Sequence, residues 1–162
     1  VPAPERVAEA RERIKGPVAH KDWVWAKETL LLDALIAKKR DVEVEVQAIQ
    51  VGPVVCLSNP AEYFVSYGLQ LKKRSGFPMT FPVELANGCV GYVPDEEAFG
   101  PNGGGYETRL TSYSNLEITA GTQFMNVGLE LAAKMKPAKL PERPNGPAGK
   151  PWAYGDQPPQ LK

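Results

Sequence analysis

The sequence is poor in the side chains that most often bind transition metals, with one histidine and two cysteines among 162 residues. Cys56 and Cys89 form neither a C-x-x-C pair nor a zinc-ligand spacing, so a buried thiol is the simpler interpretation of each. A disulfide between them stays open, because sequence does not give the distance between their strands. The cysteines therefore indicate no metal site of their own.

The sequence also lacks an excess of charge of either sign and any long apolar run. Lys+Arg and Asp+Glu are both 19, which leaves a formal net charge of zero and no basic stripe for a nucleic acid partner. No apolar run approaches the ~18 residues of a membrane span, and the N-terminus shows neither region of a signal peptide. The 43% of hydrophobic residues can bury one core. We expect a soluble chain with no transmembrane segment.

Two apolar patterns predict a helical N-terminal segment over residues 1–40. The first helix is expected over residues 4–14, and Gly16-Pro17 ends it. Its inward stripe consists of Val7, Ala10 and Ile14. Asp22 can cap a second helix that extends to the basic residues 38–40. Its expected inward stripe consists of Leu31, Ala34 and Leu35.

The period of the pattern changes at Val42, where an α/β portion over residues 41–136 is expected to begin. Four alternate positions are apolar and predict a half-buried strand, namely Val42, Val44, Val46 and Ala48. Gly52-Pro53 then predicts a tight turn, and "VVCLS" at 54–58 predicts a second, central strand antiparallel to the first. We therefore expect an antiparallel hairpin.

The stretch "SNPAEYF" at 58–64 predicts that a helix begins as the second strand ends. Asn59 suits the N-cap, Pro60 suits the first helical position, and Glu62 would lie in the first turn. The expected inward face consists of Ala61, Phe64, Val65, Gly68 and Leu69. A strand over residues 79–85 would follow, with Pro82 favouring an edge position. The order predicts a right-handed β-α-β crossover in a mixed sheet flanked by helices.

The crossover has a geometric consequence for two polar segments. The exits of two parallel strands lie at one edge of a sheet, where ligands usually bind in open α/β folds. Glu62 follows the first of these strands, and a glycine-rich loop with Asn87, Tyr92 and Tyr106 follows the second. We therefore expect a carboxylate and a tyrosine-bearing loop to meet there. A purely structural Glu62, stabilising a helix N-terminus, is the alternative.

Two segments complete the chain. Apolar residues at helical spacing predict a core helix over residues 121–135. The proline-rich residues 137–162 predict a tail that cannot form a packed core by itself. Trp152 and Tyr154 within this tail leave two alternatives open, which are disorder and packing against a neighbouring chain.

The segment from about Val42 to Met135 resembles the C-terminal part of the catalytic domain of neutral/alkaline non-lysosomal ceramidases and their bacterial relatives. Two motifs carry the resemblance, "PAE" at 60–62 and "NGCVGY" at 87–92, and "YE" follows at 106–107. The resemblance implies that Glu62 and Tyr92 are zinc ligands. It also implies that Tyr106 donates a hydrogen bond to the developing oxyanion and that Asn87 and Gly91 bind substrate.

The implied chemistry is hydrolysis of a linear N-acyl amide by zinc-bound water, with a small-molecule or lipid substrate. Zinc accepts carboxylate ligands and lowers the pKa of bound water towards ~7. The chain departs from the family pattern at Ala61, where Gly is common, at Cys89, where Tyr is frequent, and at "DEEAF", which replaces a Glu-Glu-Tyr pattern. These departures leave the substrate more open than the metal.

The implied zinc site is incomplete within this sequence. The family's two other zinc ligands are histidines from the N-terminal part of the catalytic domain, whereas His20 lies outside the matched region and is interpreted as a surface or cap residue. We therefore expect a C-terminal portion of a larger enzyme, associated with a separate N-terminal portion that supplies both histidines, and the first residue, Val1, agrees with a processed chain. The resemblance implies a secreted or periplasmic location. The alternative function is a non-catalytic interaction subunit of the same fold.

Overall fold

The computed structural model describes residues 1–142, and these form four α-helices, five short strands and one 3₁₀-helix. The elements in chain order are α1 (Pro4–Arg13), α2 (Lys21–Lys38), β1 (Gln47–Val51), β2 (Val54–Ser58), β3 (Glu62–Tyr63), α3 (Val65–Arg74), β4 (Met79–Val83), β5 (Tyr92–Val93), the 3₁₀-helix Glu96–Phe99, and α4 (Ala120–Ala133). The α/β class predicted from the sequence is confirmed. Residues 143–162 of the predicted tail lie outside the described residues.

Helices α1 and α2 lie close to their predicted bounds, but two details of α2 were predicted wrongly. The N-cap is His20, whose Nδ1 accepts a hydrogen bond from the Asp22 N–H at 3.2 Å, and Asp22 itself lies in the first turn. Leu31 and Leu35 are exposed, whereas Ala26, Thr29 and Leu32 are buried. The helix has apolar residues on several sides, so its sequence did not define a single inward face.

The main sheet has three strands in the order β1-β2-β4. Strands β1 and β2 pair antiparallel around Gly52, which has φ 57°, and β2 pairs with β4 in parallel. Strand β1 begins at Gln47 and not at Val42 as predicted, because its partner strand β2 ends at Ser58, opposite Gln47. Val44 and Val46 contact the core from the irregular segment before β1. Pro82 lies in an edge strand, where its missing N–H costs no ladder hydrogen bond.

The segment "SNPAEYF" does not open a helix, which overturns the prediction from its capping residues. The Asn59 Oδ1 accepts a hydrogen bond from the Ala61 N–H at 3.0 Å, so the side chain closes a local turn. The backbone then extends, and the N–H groups of Glu62 and Phe64 donate to the carbonyls of Gly91 and Val93 at 3.0 and 3.3 Å. Glu62 therefore lies in strand β3, and α3 begins only at Val65.

Helices α3 and α4 cover one face of the sheet and form the core with it. The central residues of β2, Val55 and Leu57, are almost fully buried beneath Tyr67, Leu71 and several α4 side chains. Val65 and Leu69, which were predicted to face inward, are exposed because α3 begins later and presents another face. The predicted core helix near residues 121–135 is present as α4.

The other face of the sheet is apolar and exposed. We call it the open face, and its side chains are those of Ile49, Val51, Met79, Phe81 and Val83. They share a side because Ile49, Cys56 and Phe81 are partners across the ladder. Each of the other positions lies two residues from one of these along the same strand, and such residues share a face. Among residues 1–142, no helix is long and apolar enough to cross a membrane.

Candidate functional site

A second, two-stranded ladder brings Glu62 and Tyr92 side by side. Strands β3 and β5 run parallel with Glu62 opposite Tyr92 and Tyr63 opposite Val93. Directly opposed residues project their side chains on the same face of a ladder. The ladder is continued outside the paired residues by the Val90 N–H, which donates to the Pro60 carbonyl at 2.8 Å. The carboxylate and the phenol are thus held by backbone hydrogen bonds and not by flexible loops.

Tyr106 completes a cluster with these two residues. Its ring meets the Tyr92 ring edge to face, with centroids 5.2 Å apart and an interplanar angle of 87°. The two phenol oxygens are 3.4 Å apart, which is long for an O–H···O hydrogen bond. Tyr106 is 59% exposed. Its hydroxyl can therefore turn towards a molecule that approaches from solvent.

The neighbours of Tyr92 keep its phenol protonated. The closeness of the Tyr106 hydroxyl, and next of the Glu62 carboxylate, raises the pKa of Tyr92 above its ordinary value. The negative charge of Glu62 adds to this shift, because it would repel a phenolate. A divalent cation between Glu62 and Tyr92 would reverse that repulsion, and a phenol beside such a cation loses its proton far more easily.

Gly91 has a structural reason to be glycine. Its φ is 75°, and a Cβ at this position would lie 2.0 Å from the Tyr113 carbonyl oxygen. The next residue, Tyr92, donates its backbone N–H to Ser114 Oγ at 2.9 Å. The close approach at Gly91 therefore fixes β5 against residues 113–114. A role of Gly91 in binding substrate stays a prediction.

The structure records Asn87, the other predicted substrate-binding residue, in contact with a different side chain. Asn87 has φ 61°, and its Nδ2 donates to Glu45 Oε2 at 3.2 Å. The contact joins the loop after β4 to the segment before β1. Its predicted role with substrate stays untested.

The structure also shows a support for the site that the sequence did not reveal. Glu28 of α2 accepts hydrogen bonds from both the backbone and the hydroxyl of Ser112, and the Arg109 guanidinium lies 4.5 Å from the centroid of Trp25. These contacts join segments far apart in the chain. No short sequence motif predicts these contacts, although Thr111, Ser112 and Ser114 are typical turn residues.

The described residues offer a partial donor set for zinc. Glu62 and Tyr92 supply two oxygen atoms, a carboxylate that zinc commonly accepts and a phenol that needs the cation to ionise. Within residues 1–142 there is no group of three or more His, Cys, Asp and Glu side chains that could hold a metal ion. His20 is engaged at the N-terminus of α2. The two oxygen donors fit half of a zinc site.

The cysteines are both free, and one differs from its predicted environment. Cys56 is partly buried in the central strand, but Cys89 is exposed in the loop before β5. The prediction of two buried thiols is therefore wrong for Cys89, which lies in the exposed loop between β4 and β5.

Fold and site together define an α/β chain with a small mixed sheet and a Glu-Tyr-Tyr cluster beside it. No protein-family model, no curated protein and no solved structure matches the chain. The functional interpretation consequently rests on the residues themselves and on their geometry.

Proposed function

We propose that this chain is the C-terminal portion of a zinc-dependent hydrolase that acts on a linear N-acyl amide, as ceramidases do. One observation carries the proposal. Glu62, Tyr92 and Tyr106, to which the resemblance to ceramidases gives roles in one catalytic site, come from three separate segments and lie in one cluster. A purely structural Glu62 would not need two tyrosines beside it.

Each of the three side chains has a distinct task in this proposal. Bound zinc would polarise the amide carbonyl and activate a water molecule for attack on it. Glu62 and Tyr92 would hold the metal, with Tyr92 giving up its proton on binding. Tyr106, whose hydroxyl is accessible, would donate a hydrogen bond to the oxyanion that develops on the carbonyl oxygen. Asn87 and Gly91 would contact the substrate.

The remaining zinc ligands would be histidines of a separate polypeptide that packs on the open face. An apolar sheet with parallel pairing is usually covered on both faces, and here one face is exposed. The strand at the centre of this sheet, β2, ends at Ser58, four residues before Glu62. A partner on this face would have its edge beside the two oxygen donors. In this account β2, α3 and β4 form a right-handed crossover of a larger, exported catalytic domain.

A non-catalytic interaction subunit is the second candidate function, and the open face favours it equally. Both candidates predict association, but only the hydrolase requires a metal at Glu62. The partner polypeptide distinguishes them directly, because a partner without the two histidines could not complete a zinc site.

The proposal is tested by zinc content and amidase activity of the purified complex. Glu62→Gln removes the carboxylate charge at nearly constant volume, and Glu84→Gln makes the same change at an exposed residue after β4. We expect Glu62→Gln to lose bound zinc and hydrolysis of an N-acyl amide while the complex stays assembled, and Glu84→Gln to keep both. Unchanged zinc content in Glu62→Gln would contradict the proposed ligand.

A further inference from the structure

A continuous set of contacts connects helix α2 to the backbone of Tyr92. It begins at Glu28, whose Oε2 accepts from the Ser112 N–H at 3.1 Å and from the Ser112 hydroxyl at 2.5 Å. A carboxylate that accepts two hydrogen bonds from one residue fixes both the position and the orientation of that residue. Helix α2 thereby holds one end of the turn formed by residues 111–114.

The turn is closed by hydrogen bonds, and its first and last residues are buried. Ser114 donates its N–H to Thr111 Oγ1 at 2.9 Å, and Thr111 donates its N–H to the Ser114 carbonyl at 3.0 Å. Thr111 is 2% exposed and Ser114 is 6% exposed. Hydrogen bonds in such a dry environment are costly to break. A displacement imposed at Ser112 is therefore transmitted to Ser114.

The far end of the turn sets the backbone of β5. Ser114 Oγ accepts the Tyr92 N–H at 2.9 Å, and Gly91 packs against the Tyr113 carbonyl with no space for a side chain. Strand β5 has only two paired residues. A ladder this short holds β5 only weakly by itself, and the turn supplies a second support.

We infer that Glu28 is a positioning residue for Tyr92, acting through the 111–114 turn to aim the phenol at Glu62. This inference rests on the proposed function only where it treats Tyr92 as a metal ligand, since the contacts themselves need no metal. It assigns the helical N-terminal segment a part in preparing the site. Loss of the Glu28 contact would leave the phenol less tightly held beside Glu62.

Asp33 offers a matched control on the same helix. It pairs with Arg11 of α1 at 3.7 Å and makes no hydrogen bond or ion pair with residues 111–114. Substitution of Glu28 or of Asp33 leaves the buried residues of α2, among them Ala26 and Leu32, unchanged. A change that substitution of Glu28 causes and substitution of Asp33 does not would therefore come from loss of the contact with Ser112. It would not come from the loss of a negative charge from α2.

The test is ¹⁹F NMR of the full chain labelled with 3-fluorotyrosine, with signals assigned by single Tyr→Phe replacements. In Glu28→Ala we expect the Tyr92 and Tyr106 signals to shift and broaden while those of Tyr63 and Tyr67, in the core, stay in place. Glu28→Gln keeps an oxygen acceptor and should restore most of the native spectrum, and Asp33→Asn should match the wild type. Ser114→Ala, which breaks the far end of the contact, should reproduce the Glu28→Ala pattern.

Hydrogen exchange of the Tyr92 amide gives a second readout, with an expected acceleration of roughly three- to tenfold in Glu28→Ala. A wild-type Tyr92 signal in Glu28→Ala would overturn the inference. So would a shift of all tyrosine signals together, because that outcome would mean a general loss of structure. If Glu28→Ala does not fold, Ser112→Ala removes only the hydroxyl contact and is judged by the same criteria. No metal or activity enters the measurement, so failure here is separate from failure of the zinc proposal.

Discussion

Glu62 and Tyr92 face each other across a parallel ladder of two residue pairs, and each is held from a different side. The Glu62 N–H donates to the Gly91 carbonyl at 3.0 Å, whereas the Tyr92 N–H donates to Ser114 Oγ at 2.9 Å. A carboxylate and a phenol fixed in this way need little reorganisation to bind a cation between them.

Gly91→Ala should destabilise the protein strongly. A Cβ would lie 2.0 Å from the Tyr113 carbonyl oxygen, and φ is 75°, so backbone strain and a clash add to roughly 2–4 kcal/mol. Gly76→Ala is the control, because φ is 78° and nothing lies within 4 Å, which leaves a strain of about 1–2 kcal/mol. Urea denaturation measures the free energy of unfolding of both variants. Equal losses of unfolding free energy would refute the close approach at Gly91.

Two stacked tyrosines in the core should respond differently to removal of their hydroxyl groups. Tyr63 donates to the Gly121 carbonyl, so Tyr63→Phe should cost about 1–2 kcal/mol. Among the described residues Tyr67 Oη has no hydrogen-bond partner, and the nearby Thr122 hydroxyl donates to Glu96 at 2.7 Å. Tyr67→Phe should therefore be neutral or slightly stabilising. Thermal unfolding measures the stability of both variants. A large loss of stability in Tyr67→Phe would contradict the prediction and indicate a hydrogen-bond partner for the Tyr67 hydroxyl.

Stability should fall at alkaline pH. Burial, and then the charge of Tyr67, raises the pKa of Tyr63, and burial also raises that of Tyr67. An acid whose folded pKa exceeds its unfolded value of about 10 stabilises the fold fully below pH ~10 and progressively less above it. Unfolding free energies between pH 8 and 12 (roughly the range that brackets tyrosine ionisation) measure this decline. Tyr63→Phe should show a shallower decline, and an identical slope would exclude Tyr63 as its source.

Substitution on the open face should weaken association without unfolding the chain. Phe81 is 48% exposed on that face, whereas Val65 is 75% exposed on α3 and lies outside the sheet. We expect Phe81→Ser to raise the dissociation constant of the complex with the proposed histidine-bearing polypeptide about tenfold. Val65→Ser is the control and should bind as the wild type does. Titration calorimetry compares them, and equal affinities would place the partner elsewhere.

The sequence could predict which segments meet, but not the local structure that joins them. Asn59 and Pro60 carry a capping signal that is typical of helices, and β3 has only two residues, too few to show a period. The extended course of Glu62 depends on hydrogen bonds to residues 91 and 93, which a local pattern cannot contain. The late start of α3 follows from this.

The support from α2 was beyond sequence reasoning for a related reason. Glu28 and Ser112 are separated by 84 positions, and a glutamate in the middle of a helix is ordinarily a solvated residue. The inward face of α2 was also ambiguous, because Leu31 and Leu35 are as apolar as the buried Leu32. Tertiary packing, and not the local pattern, decides which of these faces is covered.

The most direct test of the central claim is native mass spectrometry of the protein purified from its natural source. One spectrum reports the companion polypeptide and the bound metal together. The account predicts a complex of this chain with a histidine-bearing polypeptide and one zinc ion per complex, with the zinc absent in Glu62→Gln. A folded chain that carries no companion and no metal would contradict the account and leave Glu62, Tyr92 and Tyr106 as structural residues.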